Sequence, residues 1–281
     1  MPECQLGRFG PMMGRKALPW LLLAGLAACS PPDYTPVRDW AGVAEAAAHY
    51  PELTPAPRQT TARQAPIAQP DQAEAMLAMQ QALGMYLNAL GTLAADGLLM
   101  LREDPLRDLV PRVAPVNEAG ARAIEKLGAL LRQRGRELAR APQLRAMIRD
   151  SDEAVQGLIQ ALSETASGAM PAEDAARQAS AAHYARLMRD AHDAPTRAIL
   201  AEISAMRDEA FANRAAARAN YLAVLGDIAA GHKLLAERLR HLTQEETQRQ
   251  IRAAEASLRR AATALPRDRL GLAVPQAGTP Q

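Results

Sequence analysis

The sequence predicts an all-α protein, an elongated antiparallel helical bundle with a long C-terminal helix. Two observations carry this prediction. The chain has 281 residues, of which 48% are hydrophobic but only 3% aromatic, and its commonest residues include alanine, leucine, arginine and glutamate, which favour helices over strands. Its large apolar residues recur three and four positions apart, the spacing of a helix that buries one face. A chain of this size can bury a sizeable core.

The helical bundle is predicted to span residues 71–265. Its first helix starts at Asp71, keeps a heptad spacing through Gly97 and ends near Arg102. The helices expected after it cover about 116–140, 143–167, 171–194 and 195–241, the last being the longest. Thr243-x-x-Glu246 reads as a capping box that opens a final helix. Residues 266–281 hold three prolines and two glycines and are predicted to be a disordered tail.

Two helices carry an internal echo. Residues 86–97 and 221–232 are identical at six of twelve positions, with Tyr86 and Tyr221 leading each copy. Gly91 and Gly226 also correspond, and glycine inside a helix is unfavourable unless close packing requires it. We expect both helices to have equivalent packing roles. The alternative is chance similarity between two helices rich in alanine and leucine.

His232 occupies a core position in the best heptad run of the chain, three turns after Tyr221. A buried polar side chain must find a hydrogen-bond partner or lose its hydration without compensation. His232 and Tyr221 therefore mark a possible buried polar site. A hydrogen-bonded core histidine is the commoner explanation, and a metal ligand or catalytic base is the alternative.

Motifs for catalysis or cofactor binding are missing from the sequence. It contains no Glu-x-x-His pair for a di-iron site, no glycine-rich phosphate loop and no Gly-x-Ser-x-Gly elbow. Without residues 1–28 the chain has 30 basic and 30 acidic residues, so no excess of positive charge favours nucleic acid. We expect a protein that is not an enzyme, with no catalytic residue, metal, cofactor or nucleic-acid partner.

The first 29 residues have the pattern of an export signal. Gly14-Arg15-Lys16 precedes an apolar stretch over residues 17–28, which is shorter than the roughly 20 residues needed to cross a bilayer. The stretch ends in Leu26-Ala27-Ala28-Cys29, which resembles the lipobox of bacterial lipoproteins.

This resemblance implies that residues 1–28 are a signal peptide, with Met12 or Met13 as a more conventional start. Cleavage would leave Cys29 as the new N-terminus, carrying lipid on its thiol and its amine, and several acyl chains anchor a protein stably. Cys29 would then be the sole cysteine of the mature chain. Ser30 follows the cysteine in place of an aspartate, and in such lipoproteins this implies sorting to the outer membrane. The protein is expected to face the periplasm, and exposure on the cell surface is the alternative.

Residues 29–70 are predicted to be a tether, because eight prolines lie between positions 31 and 70. One short helix is expected inside it, from Asp39 to Tyr50. Fully extended, about 40 residues at roughly 3.1 Å each would reach ~120 Å from the membrane.

The whole chain resembles helical bacterial lipoproteins of uncharacterised function, without a motif that specifies one family. We expect a non-enzymatic interaction or scaffold module with a protein partner in the cell envelope. The alternative is a bundle that binds a hydrophobic molecule or a metal in a cavity near His232 and Tyr221. A helical toxin-like or membrane-remodelling protein ranks last, because the sequence has no uninterrupted apolar hairpin.

Overall fold

A computed structural model describes residues 32–48, 70–99, 101, 103–135 and 140–263. Within these ranges the regular structure is entirely helical, which confirms the predicted fold class. The chain from Tyr34 onward forms one compact unit. The predicted signal peptide (1–28), Cys29, Ser30, residues 49–69 of the predicted tether and the predicted tail (266–281) all lie outside the described residues.

Eight α-helices follow one another along the described chain. They are α1 (Thr35–Ala48), α2 (Pro70–Ala94), α3 (Val110–Val113), α4 (Glu118–Arg134), α5 (Arg140–Gly168), α6 (Met170–Asp190), α7 (Ala194–Glu237) and α8 (Glu245–Thr263), with a short 3-10 turn, Arg107–Leu109, before α3. Among them, none is both long enough and apolar enough to cross a membrane.

The second half of α7 runs parallel to α2. Gln80 of α2 contacts Tyr221 of α7. Tyr86, further along α2, contacts His232, which is further along α7. Tyr86 also contacts Ser151 in the first half of α5. Met79, which precedes Tyr86 in α2, and Ala161, which follows Ser151 in α5, both lie beside Gly120 of α4. Helix α5 is therefore antiparallel to both α2 and α7. This gives the antiparallel bundle, with its core between α2, α5 and α7.

Helix α1 belongs to the core, so the predicted tether is wrong for residues 35–48. The helix begins at Thr35, four residues before the expected start, and Val37 and Trp40 are almost fully buried. Trp40 lies beside Gly231 of α7, and α1 runs antiparallel to α2 and α7. Alanines at helical spacing form the rest of its inner face, and their small side chains let it approach its neighbours closely.

Helix α2 ends at Ala94, eight residues before the predicted end. Asp96 adopts a left-handed conformation with φ of 56°. The Gly97 N–H donates to the Thr92 carbonyl at 2.8 Å and the Asp96 N–H to the Leu93 carbonyl at 3.3 Å, the pair of bonds that closes a Schellman motif. Gly97 therefore lies beyond the helix, and the predicted heptad row stops before it.

The boundaries of α7 and α8 illustrate one correct and one wrong prediction. The predicted boundary between residues 194 and 195 is close to the observed one, because α7 begins at Ala194 with Pro195 in its first turn. The Asp193 side chain caps this helix by accepting from the Thr196 N–H at 2.7 Å. Helix α8 instead begins at Glu245, too late for Thr243 to be its N-cap. The capping box predicted there was wrong.

Close helix packing requires glycine at Gly231 and not at Gly226. A Cβ on Gly231 would lie 2.6 Å from Cε2 of the Trp40 indole, whereas nothing lies within 4 Å of a Cβ on Gly226. The packing role predicted for Gly226 was therefore wrong. Gly91 does lie against α1, but a Cβ there would make an ordinary contact of 3.6 Å with Ala41.

Helix α6 and residues 194–216 of α7 form a projecting pair that we call the hairpin. Helix α6 packs against α7, and an ion pair of 2.7 Å between Arg177 and Asp208 joins the two helices. No residue from 167 to 216 is buried, although the structure describes all of them. The hairpin leaves the bundle where α5 ends, which is the end opposite to the start of α1.

Candidate functional site

His232 lies in a buried polar cluster made of Tyr86, Ser151, Asp152 and His232. Its Nδ1 is 2.8 Å from Asp152 Oδ1, and its Nε2 is 2.7 Å from the Tyr86 hydroxyl. The Tyr86 hydroxyl is also 2.6 Å from Ser151 Oγ. His232, Tyr86 and Ser151 are fully buried, whereas the Asp152 side chain is 33% exposed. The cluster therefore connects α2, α5 and α7 and reaches solvent at Asp152.

The negative charge of Asp152 determines which ring nitrogen of His232 carries a proton. The hydrogen bond from His232 holds the pKa of Asp152 below its ordinary value, against the opposing effect of burial. Ionised Asp152 can only accept, so Nδ1 of His232 carries a proton and donates it. Nε2 then accepts from Tyr86 when the ring is neutral and donates to Tyr86 when the ring is charged. Both ring nitrogens have a partner in either state.

The tyrosine hydroxyls of the core remain neutral. Burial raises the pKa of Tyr86, although its hydrogen bond with Ser151 opposes the rise. Burial likewise raises the pKa of Tyr221, opposed by the hydrogen bond with Gln80. Neither phenol is thus prepared to act as a base or a nucleophile near neutral pH.

Tyr221 forms a second and separate polar contact. Its hydroxyl accepts from Gln80 Nε2 at 3.1 Å and donates to the Ala48 carbonyl at 3.4 Å. The structure therefore buries both Tyr221 and His232, as predicted, but places them in two clusters along α7. Each cluster contains one of the two tyrosines of the internal echo, and each tyrosine bonds across helices.

The composition of the buried cluster resembles a Ser-His-Asp triad, but its geometry does not allow a substrate to approach. Ser151 Oγ is 3.5 Å from His232 Nε2 and closer to Tyr86, and it is 0% exposed. A catalytic serine must reach the bond that it attacks. In this arrangement the four side chains form a polar brace between helices.

Sequence reasoning did not find the partners of His232. Ser151 and Asp152 lie 81 and 80 residues before it in the chain, and no local pattern couples positions that far apart. Within the described ranges, no group of three or more His, Cys, Asp or Glu side chains is placed to hold a metal ion.

The exposed apolar residues concentrate on the hairpin. Six large hydrophobic side chains of the described residues are exposed, and four of them belong to it: Met170, Leu187, Ile199 and Met206. The other two, Leu77 and Leu98, lie on α2 and in the loop after it. Ile199 and Met206 are seven residues apart on α7, so they lie on the same side of that helix.

A shallow cleft of about 120 Å³ lies at the base of the hairpin. Met170, Phe211 and Leu222 form its apolar part. Arg218 lines it as well and forms an ion pair with Glu173, and both side chains are largely buried. The cleft is too small for a drug-sized ligand, but its walls join the hairpin to the bundle.

Comparison with known proteins adds no family: no family model, curated protein or solved structure matches this chain. The buried cluster and the hairpin are the two features of the described chain that bear on its function.

Proposed function

We propose that this protein is a lipid-anchored module of the cell envelope that acts by binding another protein, with the hairpin as its binding surface. The lipobox-like sequence ending at Cys29 supports the anchor. One observation carries the binding role: residues 169–216 include no buried side chain, although nearly all of them belong to two long helices.

The exposed side chains of the hairpin offer a favourable energy of association. Ile199 and Met206 are 58% and 55% exposed. Complete burial of one such side chain contributes about 1.5–3 kcal/mol before the costs of association are subtracted. Because Ile199 and Met206 are already partly buried, each would contribute less than this full value. They would serve as anchors within a larger interface.

The partner that best suits this surface is helical. The outer positions of α6 and α7 are rich in alanine, including Ala179, Ala198 and Ala205, all exposed. Small side chains allow another helix to approach the backbone closely, while the larger residues between them supply anchors. The charges on the hairpin are of both signs, so a strongly acidic or basic partner is not favoured.

The buried cluster supports binding over catalysis as the activity. The polar side chains of His232 and Tyr221 are occupied by contacts inside the protein, which leaves a structural role for the core. The side chains of the hairpin, by contrast, are not buried and are therefore accessible to a partner.

The test is site-specific photo-crosslinking in cells. A photoreactive amino acid at Ile199 or Met206 is expected to capture one discrete envelope protein. The same amino acid at Leu77, which is 42% exposed on α2, is the matched control and should capture none.

The anchor is tested in the same cells with Cys29→Ala. The captured protein should be lost or strongly reduced, because the unanchored chain is no longer held beside its partner. Capture that is equal at Leu77 and Ile199, or absent at both hairpin positions, would show that the hairpin is not the binding surface.

A further inference from the structure

The burial of α1 shortens the distance between the proposed lipid and the bundle. Tyr34 is the first buried residue of the described chain, at 3% exposure, and four residues, 30–33, separate it from Cys29. Five residues from Cys29 to Tyr34 span at most roughly 18 Å when fully extended. The reach expected for a tether of 40 residues therefore does not apply.

We infer that the lipid holds one end of the bundle at the membrane surface and that the hairpin projects away from it, an inference that rests on the proposed anchor. The end in question, which we call the anchor end, is where α1 begins. Gly91, near the end of α2, lies beside Arg38 and Ala41 in the first turns of α1. The C-terminal end of α7 lies there too, because Gly231 contacts Trp40.

An apolar loop lies at the same end and suits a lipid surface. The chain leaves α2 through Gly97 and continues into Leu98, which is 41% exposed, and Leu99, which is half-buried. Leu101 packs beside Gly135 at the end of α4. Leu98 is thus an exposed apolar side chain at the end of the bundle that the proposed anchor would hold beside the membrane.

The hairpin lies at the other end. At its base, the ion pair between Glu173 of α6 and Arg218 joins the two helices. The tip of the hairpin is at Ala194, where α7 begins. At about 1.5 Å per residue, the 44 residues of α7 span about 66 Å from the anchor end to the tip of the hairpin. The partner is therefore a protein that meets the hairpin well away from the membrane that holds the lipid.

The cysteine content of the chain allows a direct test. Cys29 is acylated in the proposed mature protein, so a single introduced cysteine can be labelled selectively with a fluorophore. We would compare Leu98→Cys at the anchor end, His192→Cys at the tip and Leu77→Cys as a matched control, because Leu77 and Leu98 are 42% and 41% exposed. The full acylated chain is reconstituted in phosphatidylethanolamine and phosphatidylglycerol vesicles that contain brominated lipid.

The expected result is strong quenching at Leu98→Cys, several-fold above that at Leu77→Cys, and none at His192→Cys. An insertion of about 20 glycine and serine residues after Ser30, which gives a flexible reach, should reduce the quenching at Leu98→Cys to the control level. Equal quenching at Leu98→Cys and Leu77→Cys, or any excess at His192→Cys, would overturn the orientation.

Failure of the anchor and failure of the partner are distinguishable. A chain that lacks acyl groups by intact mass and does not float with vesicles would overturn both the anchor and this inference. Quenching at Leu98→Cys without any protein captured at Ile199 would support the orientation and reject the binding role of the hairpin.

Discussion

The two halves of α7 lie in opposite environments although they form one continuous helix. Residues 217–237 include nine buried residues, whereas residues 194–216 include none. The second half places Tyr221, Leu225 and His232 on one face, and the first half separates its few large residues with alanine. Alanine has the highest helix propensity, so α7 can continue past its core as an arm. One helix thus supplies both stability and an exposed surface.

The largest expected effect comes from removing the indole that fixes α1 to α7. Trp40→Ala should lower the free energy of unfolding by about 3–5 kcal/mol, because a fully buried tryptophan leaves a cavity. Urea denaturation measures this value. Phe211→Ala in the hairpin is the counterpart, and its cost should be clearly smaller, because Phe211 is only half-buried. Equal costs would contradict the division between core and arm.

The hydroxyl of Tyr86 should matter far more than that of a tyrosine on the hairpin. Tyr86→Phe leaves His232 Nε2 and Ser151 without their shortest hydrogen bonds, which costs about 1–3 kcal/mol for buried polar groups. Tyr184→Phe changes a half-buried side chain on α6 and should cost less than about 0.5 kcal/mol. Thermal unfolding of both variants checks the difference, and a silent Tyr86→Phe would argue against the brace.

Two glycines of α7 should respond to alanine with opposite signs. Gly231→Ala forces a methyl group against Trp40 and should destabilise the fold by about 1–3 kcal/mol. Gly226→Ala meets open space and should stabilise it by up to ~1 kcal/mol through helix propensity. Denaturant midpoints of the two variants decide the matter. A stabilising Gly231→Ala would mean that the contact with the indole is not tight.

Acid should weaken the core through Asp152. Its pKa in the folded protein lies below the ordinary value of 3.8, mainly because His232 hydrogen-bonds to it. The stabilisation is therefore present above about pH 4 and is lost as the pH falls through the lowered pKa. With Asp152→Asn, the free energy of unfolding should fall less steeply as the pH is lowered below about 4. Glu153→Gln, at a neighbouring exposed ion pair with Lys126, is the control and should change that slope less.

The smallest effect on stability is expected on the hairpin. Ile199→Ser and Met206→Ser should each change the free energy of unfolding by no more than about 0.5 kcal/mol, as is usual for exposed positions. The same variants should reduce capture of the envelope partner by crosslinking in cells. A large loss of stability with intact capture would mean that these side chains serve the fold and not the interaction.

The sequence predicted the helices because their period is local. Apolar residues three and four positions apart predicted α2, α5 and the second half of α7. The heptad run in α7 also placed His232 in the core. The sequence pattern could not predict that α1 is buried, because α1 has only Val37, Trp40 and Val43 as apolar residues larger than alanine and lies inside a proline-rich segment. Its burial depends on a tertiary contact with Gly231, and no local pattern contains that contact.

The candidate sites were harder to predict than the fold. The polar partners of His232 lie on another helix far away in the chain, and the weak apolar content of α6 did not by itself indicate exposure. One signal was available at Gly231, a glycine directly before a core histidine in the strongest heptad run. The similarity between residues 86–97 and 221–232 instead predicted the close helix contact at Gly226.

Replacing the hairpin is the most direct test of the central claim that the bundle provides the fold and the hairpin provides the binding. Residues 169–216 are exchanged for a short glycine-serine loop that joins α5 to the second half of α7, and urea unfolding and crosslinking in cells are measured on the same variant. The variant also carries Arg218→Gln, because the deletion removes Glu173, the ion-pair partner of Arg218. We predict cooperative unfolding with a free energy lowered by no more than about 1–3 kcal/mol, because residues 169–216 contribute no side chain to the buried core. The proposed partner should no longer be captured by a general crosslinker. A variant that does not fold cooperatively, or one that still captures the partner, would contradict the account.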